Sequence, residues 1–455
     1  MNSNYLVKCL IVGMLLFFSC GADNNEPPEE APTYTITIHP AQTHQQMIGF
    51  GGALTWYSNW MTSSSNKTQI ADLIFTDLGI DIVRFKNWYY PDGYPTTTST
   101  SVMTDDNSKL HWDATNELFT MLKERVPSAR VLLSSWGPPS ALKSNGSTRQ
   151  GTLKKDAGNF MYNEFGDYWV NVLDHLTFNP DYISIQNEPT YINAGWTTCE
   201  WAATETASLP GYVNAFDNVF DKIKNRANQP IMIGPESQDI ATFSSFATLL
   251  KDKAHCGSFA YHPYNFNSGS TDTQIASQLQ TIAGFNTKPN VMTEYSDNLD
   301  WFRTANFIQS CLVNANSSGY IYWKLVWATP TTGTDAALVS VTTGGQYTVT
   351  PYFHLLKHFS RDIDAGYARV EATSEHSTVS ASAFINPASD KLTVILINTN
   401  TGAIHVDFDV TDKTISGITA VQSKVDNYYK VLTDVTATSS IKLQGQSITT
   451  VVLDI

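Results

Sequence analysis

The chain carries little charge for its length. Of its 455 residues only 15% are Asp, Glu, Lys or Arg, and acidic residues outnumber basic ones 42 to 28, a formal net charge of −14. With so few cations there is no basis for a phosphate-neutralising face, which argues against nucleic acid or an anionic membrane surface as partner. Cysteine is scarce too, five in all, and none has metal-ligand spacing. Beyond Cys9 and Cys20 the body holds Cys199, Cys256 and Cys311, an odd number, so at least one is unpaired. A Cys199–Cys256 bridge is open in an oxidising compartment, but small buried thiols are the expectation. GxSxG, P-loop, HExxH and CxxC motifs are all absent. Gly49-Phe50-Gly51-Gly52 lacks the dinucleotide spacing, and its glycines are expected to let the backbone turn closely beside a binding site. No cofactor and no metal are expected.

Long apolar runs are missing as well. The stretch from Cys9 to Ser19, after Lys8, is too short to span a bilayer as a mature helix and reads as an export signal over 1–20. It ends in Phe17-Phe18-Ser19-Cys20, which resembles a bacterial lipoprotein cleavage site with Cys20 as the lipid attachment point. An ordinary secretory signal is the alternative. Residues 21–33, rich in Asn, Glu and Pro, read as a flexible tether. The protein is therefore expected to be exported, at the cell surface or outer membrane or in the periplasm. Contact with the membrane would be through the lipid alone, and the expected state is a monomer.

What is present is a rhythm. From 45 to 362 short β-rich runs alternate with helix-period runs. The strand candidates are Met47–Ala53, Ile80–Phe85, Arg130–Ser134, Tyr182–Gln186, Ile231–Gly234, Phe259–Tyr261, Asn290–Thr293 and Tyr320–Trp323. Helical patterns fall at Lys67–Phe75, Ala114–Glu124, Asn159–Leu176, Val213–Arg226 and Trp301–Ala315. Eight strands interleaved with helices predict an α/β fold, a (β/α)8 TIM barrel with its site at the C-terminal strand ends. Over 363–455 the pattern changes to period two, predicting an antiparallel β-sandwich. The run 34–44 has no place in the barrel and is expected to join that side domain.

Two glutamates end apolar strand runs: Glu188 in Ile183-Ser184-Ile185-Gln186-Asn187-Glu188-Pro189 and Glu294 in Val291-Met292-Thr293-Glu294-Tyr295. Charge at a buried strand end is costly without a purpose. The two lie 106 positions apart, about three βα units at roughly 30 residues each, which puts them across the barrel mouth from one another. There they can approach to the roughly 5 Å of a retaining glycosidase pair. Arg84, ending the second strand, is placed to keep a carboxylate ionised, or else serves as a structural ion pair. Asn187 is placed to hold a sugar hydroxyl. His262 and Tyr264 in Tyr261-His262-Pro263-Tyr264 face the same mouth, with Tyr264 positioned to bond Glu294. Trp136 and Trp323 supply flat apolar surfaces for sugar rings.

These motifs resemble glycoside hydrolase family 30, in the clan of retaining (β/α)8 glycosidases, over nearly the whole mature chain. The resemblance implies a β-sandwich built from both chain ends, Glu188 as acid/base and Glu294 as nucleophile. Arg84, Asn187, His262, Tyr264 and Trp323 match clan positions around them. Within the family the likeness is to bacterial glucuronoxylan endo-β-1,4-xylanases, through Cys199-Glu200-Trp201, Trp136-Gly137-Pro138-Pro139 and Lys143-Ser144-Asn145-Gly146. One departure stands out. Those enzymes carry an arginine pair after the strand-eight tryptophan to grip the glucuronate branch, whereas this chain has Val326 and Trp327. A bidentate carboxylate grip is thereby lost, and Lys324 offers a point charge only if it faces the cleft. The expectation is an endo-xylanase without strict dependence on glucuronate, with Trp327 as an extra stacking surface. The partner is then plant cell-wall xylan. Another β-glycan, β-1,6-glucan or β-1,6-galactan, is the alternative, and a non-catalytic glycan-binding lipoprotein a more distant one.

Overall fold

A computed structural model describes residues 32–90, 108–296, 299–329 and 337–455. The expected signal over 1–20, Cys20 and all but the end of the tether lie outside the described residues. Eight parallel strands close into a barrel in chain order. Strands one to eight are Gly49–Leu54, Ile82–Lys86, Arg130–Ser134, Tyr182–Ser184, Ile231–Ser237, Cys256–Tyr261, Asn290–Met292 and Ser317–Tyr322. The (β/α)8 architecture is thus borne out.

Each strand sends one side chain into a shared apolar layer inside the barrel: Ala53, Ile82, Leu132, Tyr182, Ile233, Ala260, Val291 and Ile321. Their neighbours Val83, Leu133, Ile183, Met232, Phe259 and Met292 belong instead to the cluster shared with the surrounding helices. Side chains alternate along a strand, so positions two residues further on face inward again. Those positions are Arg84, Ser134, Ser184, His262, Thr293 and Trp323. An apolar floor therefore carries a largely polar layer above it, and that layer holds the chemistry.

The glycines of strand one serve the barrel wall, which corrects the expectation that they turn the backbone beside the site. A Cβ on Gly51 would lie 1.7 Å from the Ile82 carbonyl oxygen, and one on Gly52 would lie 2.8 Å from Leu325 Cβ. Helices Ser108–Arg125, Tyr162–His175, Tyr212–Ile223 and Trp301–Val313 fall where expected. Ile240–Leu250, Asp272–Ala283 and Pro351–Ser360, with the run Lys67–Ala71 and Asp72–Asp77 that was also expected, complete the ring. Asp272–Ala283 opens with a capping box between Thr271 and Gln274.

The side domain is one nine-stranded sheet built from both chain ends. Its N-terminal member, Thr33–Gln46, lies between Ala368–Ser374 and Ile404–Val410. It is antiparallel to the first and parallel to the second, so the sheet is mixed and not wholly antiparallel as expected. A strand arriving from the far end of the chain need not obey hairpin geometry, which is what makes the parallel pair possible. Leu392, Val394 and Leu396 face the sheet's own core, while Ile395 and Ile397 join the barrel cluster. Strand Lys391–Asn398 is therefore buried on both sides.

The joint between barrel and sheet turns on His358, in the helix Pro351–Ser360. Thr450 Oγ1 donates to the His358 carbonyl, so it can only accept from Nδ1–H, at 2.8 Å. Ser423 Oγ accepts the Tyr429 N–H and so donates to Nε2, at 2.7 Å. The neutral ring is fully satisfied, whereas a charged one would be buried beside His354 and Lys357. Burial accordingly pushes its pKa from 6.5 down to about 3. The unfolded chain binds a proton between those values that the folded one refuses, so stability should fall as pH drops through that window. Urea unfolding of the wild type should lose stability from about pH 6.5 downward more steeply than His358→Gln; equal slopes would count against this account.

Candidate active site

Arg84 is completely buried and makes four contacts in the polar layer. Its Nη1 donates to Glu294 Oε2 at 2.7 Å and its Nη2 to Asn187 Oδ1 at 2.6 Å. Nε lies 2.9 Å from Glu236 Oε1 and 3.1 Å from Ser134 Oγ. Tyr264 Oη donates to the other Glu294 oxygen at 3.1 Å. Across the mouth, His262 Nδ1 is 3.0 Å from Glu188 Oε1, and Nε2 is 3.0 Å from Thr293 Oγ1.

One carboxylate oxygen each of Glu188 and Glu294 and a nitrogen of His262 all lie within 4.8 Å of one another. Such a cluster has the composition of a cation site, but Arg84 already supplies the positive charge. Glu188 and Glu236 both adopt left-handed backbone, φ 45° and 53°, uncommon for residues with a side chain and typical of strained functional positions. They are tied together, the Glu188 N–H donating to the Glu236 carbonyl at 3.0 Å.

Burial pushes the Glu294 carboxyl up; His262 and Arg84 pull it back, while Glu188 adds to the rise. Glu236 is also pushed up by burial, but the Arg84 guanidinium and His262 prevail and hold it at about 2. Burial lowers His262, yet Glu294, Glu188 and Glu236 together raise it to about 9. At neutral pH its ring is therefore charged, donating to both Glu188 and Thr293.

Above this layer opens a cavity of about 370 Å³ lined by Trp56, Trp136, Asn187, Glu188, Tyr191, Trp196, Gln238, Tyr264, Glu294, Trp323, Lys324 and Trp327. Trp136 and Trp323 stack at 5.9 Å, and Trp56 presents its edge to both and to Trp327. On the Glu188 side Tyr191 stacks with Trp196 at 6.3 Å. Three larger depressions, about 680, 530 and 470 Å³, open where strands such as Ile231–Ser237 and Asn290–Met292 begin, and the single carboxylate lining any of them is Asp181.

Every residue singled out in the described part thus lies in or directly beneath one cavity. Arg84 and His262 are beneath it and buried, while Asn187 presents its amide NH2, since its oxygen is taken by Arg84. Lys324 faces the cleft, with Nζ 5.1 Å from the Trp327 ring. Sequence reasoning missed Glu236, although it too ends an apolar run, Ile231-Met232-Ile233. It also passed over Trp56, Tyr191, Trp196 and Gln238.

No protein-family model matches the chain. It is similar to glucuronoxylanase XynC of Bacillus subtilis, 23% identical over 442 residues and 92% of each chain. It is also similar to endo-1,6-beta-D-glucanase neg1 of Aspergillus fumigatus, 24% identical over 434 residues and 85% of each chain. The fold matches a family 30 subfamily 8 xylanase, Xyn30A from Clostridium acetobutylicum, with TM-score 0.69 at 20% identity, covering 92% of this chain and 100% of that one. These relatives bear out the resemblance to glycoside hydrolase family 30 and the glycosidase class.

Because the Tyr264 hydroxyl stabilises only the ionised form of Glu294, Tyr264→Phe should raise that carboxyl further. The acid limb of the pH–kcat/KM profile should move to higher pH, with kcat down by about tenfold or more. A limb that stays in place would mean Glu294 is not the group titrating there.

Proposed function

We propose that this glycosidase cleaves the β-1,4-linked backbone of xylan internally, by double displacement with retention. Glu294 attacks the anomeric carbon and Glu188 protonates the leaving oxygen, then deprotonates the water that hydrolyses the glycosyl ester. The observation that carries this is the approach of the two carboxylates to within 4.8 Å. Retaining pairs stand about 5–5.5 Å apart, whereas inverting pairs leave room for a water. Arg84 and Tyr264 favour the ionised nucleophile, and the Asn187 amide is placed for a sugar hydroxyl, a bond that tightens in the transition state. Trp136, Trp323 and Trp327 supply faces for pyranose rings.

Retention of the enzyme class with loss of the arginine pair supports activity that does not require glucuronate branches. Trp327, where the family resemblance implies an arginine, lines the cavity with an apolar wall. Lys324 adds one charge without a fork, so an acidic branch can be tolerated but not gripped bidentately. The second reading, β-1,6-glucan, is supported by the similarity to the fungal endo-1,6-glucanase, near in identity to that with the xylanase but covering less of each chain. The expected sites of action are the cell surface or the periplasm, reached through the export signal and lipidation of Cys20.

Glu294→Gln should abolish turnover, by about 10³-fold or more, since a carboxamide cannot form the ester. Glu188→Ala should keep the first step on substrates with good leaving groups, with azide restoring turnover as a β-glycosyl azide. Near-wild-type hydrolysis by the first variant, or no azide rescue with binding intact in the second, defeats the role assigned to each. Comparable rates are expected on arabinoxylan and glucuronoxylan. Cleavage only at a fixed distance from glucuronate would overturn the branch-independent reading, and products from β-1,6-glucan alone would establish the second reading.

A further inference from the structure

The polar layer contains a third carboxylate that the double displacement does not use. Glu236 ends strand five, is wholly buried, and stands between the two arms of the site. Its Oε1 is 2.9 Å from Arg84 Nε and 4.0 Å from His262 Nε2. Its carbonyl accepts the Glu188 N–H at 3.0 Å. It is too deep to meet substrate, since it does not line the cavity. A charge buried at this depth is costly unless paired, and the pairing with Arg84 ties Glu236 to the site.

We propose that Glu236 is a positioning residue that keeps the leaving-group proton stored on His262, against Glu188, and at the same time fixes Arg84 on Glu294. This rests on the reading above of Glu188 as acid/base. The groups facing the Glu188–His262 pair are Glu236 from strand five, Glu294 and Thr293 after strand seven, Arg84 from strand two, and Tyr264 on its own loop. Ser184 from strand four and Tyr212 from the neighbouring helix stand near Glu236 itself. Two anions, Glu236 and Glu294, hold the proton on the ring.

In the first displacement a Glu294 oxygen bonds to the anomeric carbon, and the bond from that carbon to the leaving oxygen breaks. The leaving oxygen takes the pair's single proton, which passes from His262 Nδ1 to Glu188 and on to that oxygen, leaving His262 neutral and Glu188 ionised as before. Forming the ester removes the charge of Glu294, so the hold on the ring proton weakens as the proton is needed. In the second displacement water gives its proton to Glu188 and so to His262, its oxygen bonds to the anomeric carbon, and the ester bond returns its electrons to Glu294. Glu236 keeps its charge throughout and secures the return.

The test is Glu236→Gln, nearly isosteric and uncharged, assayed on xylan and on 2,4-dinitrophenyl β-xylobioside, whose leaving group needs no proton. On xylan kcat/KM should fall about tenfold or more, and its alkaline limb should move down by about one pH unit, because the pair now releases its proton more readily. On the dinitrophenyl substrate the first step should be nearly spared. A limb that does not move, or a loss shared equally by both substrates, overturns the proposal and leaves Glu236 a structural residue. Glu236→Asp, which draws the charge back from His262, is read by the same two criteria and stands in if the Gln variant does not fold. Wild-type inactivity on both substrates would count against the xylanase reading, a result separable from either variant's.

Discussion

A guanidinium with no access to water governs this molecule. Arg84 cannot lose its proton and cannot be solvated, so its surroundings must answer it with acceptors. They do so from four separate strand ends: Glu294, Glu236, Asn187 and Ser134. Removing one partner from such a buried set typically costs about 3–5 kcal/mol. That penalty welds the mouths of strands two, three, four, five and seven into one geometry. The position of Glu294, the proposed nucleophile, is thus a by-product of satisfying a buried cation, and the geometry is present without any ligand.

The layering beneath explains how so polar a centre is tolerated. The inner ring Ala53, Ile82, Leu132, Tyr182, Ile233, Ala260, Val291 and Ile321 closes the barrel from below, so the polar layer meets protein on one side and the aromatic cavity on the other. Little water reaches it, and each charge acts at close range in a weakly screening medium. The side sheet contributes from outside. It packs on the final helix through the neutral His358 and on the barrel cluster through Ile395 and Ile397.

Much of this was legible in the chain. Short apolar or aromatic runs marked all eight strands, and Glu188 and Glu294 were conspicuous because each closes such a run with a carboxylate. Glu236 closes a third, yet Gly234-Pro235 reads as a strand stop, and only the structure carries the strand on to Ser237. Helix Ile240–Leu250 escaped because its outward face, Ala241, Ser245, Thr248 and Leu249, carries no charge and contrasts weakly with its buried one. Helix Asp272–Ala283 was passed over too: its amphipathicity is weak, and the capping pair Thr271 and Gln274 is the signal that could have found it. The glycines of strand one were misjudged because a short-range pattern cannot distinguish approach to a ligand from approach to the Ile82 backbone. The parallel pairing of the first strand with Ile404–Val410 depends on contacts hundreds of residues apart, which local pattern does not encode.

The charges of the centre bear on the transition state as a set. Arg84 and the protonated His262 contribute two positive charges; Glu188, Glu236 and Glu294 contribute three negative ones when the pair's proton rests on the ring. The cluster therefore carries one net negative charge in a water-poor pocket. Cleavage of a glycosidic bond passes through an oxocarbenium-like state, positive at the ring oxygen and anomeric carbon. A neutral sugar gains little from that field in its ground state, whereas the developing cation gains much, so the excess charge is expressed where it accelerates the reaction and not in binding. Two carboxylates balanced by two cations would lose this difference, and the third, buried carboxylate is what supplies it.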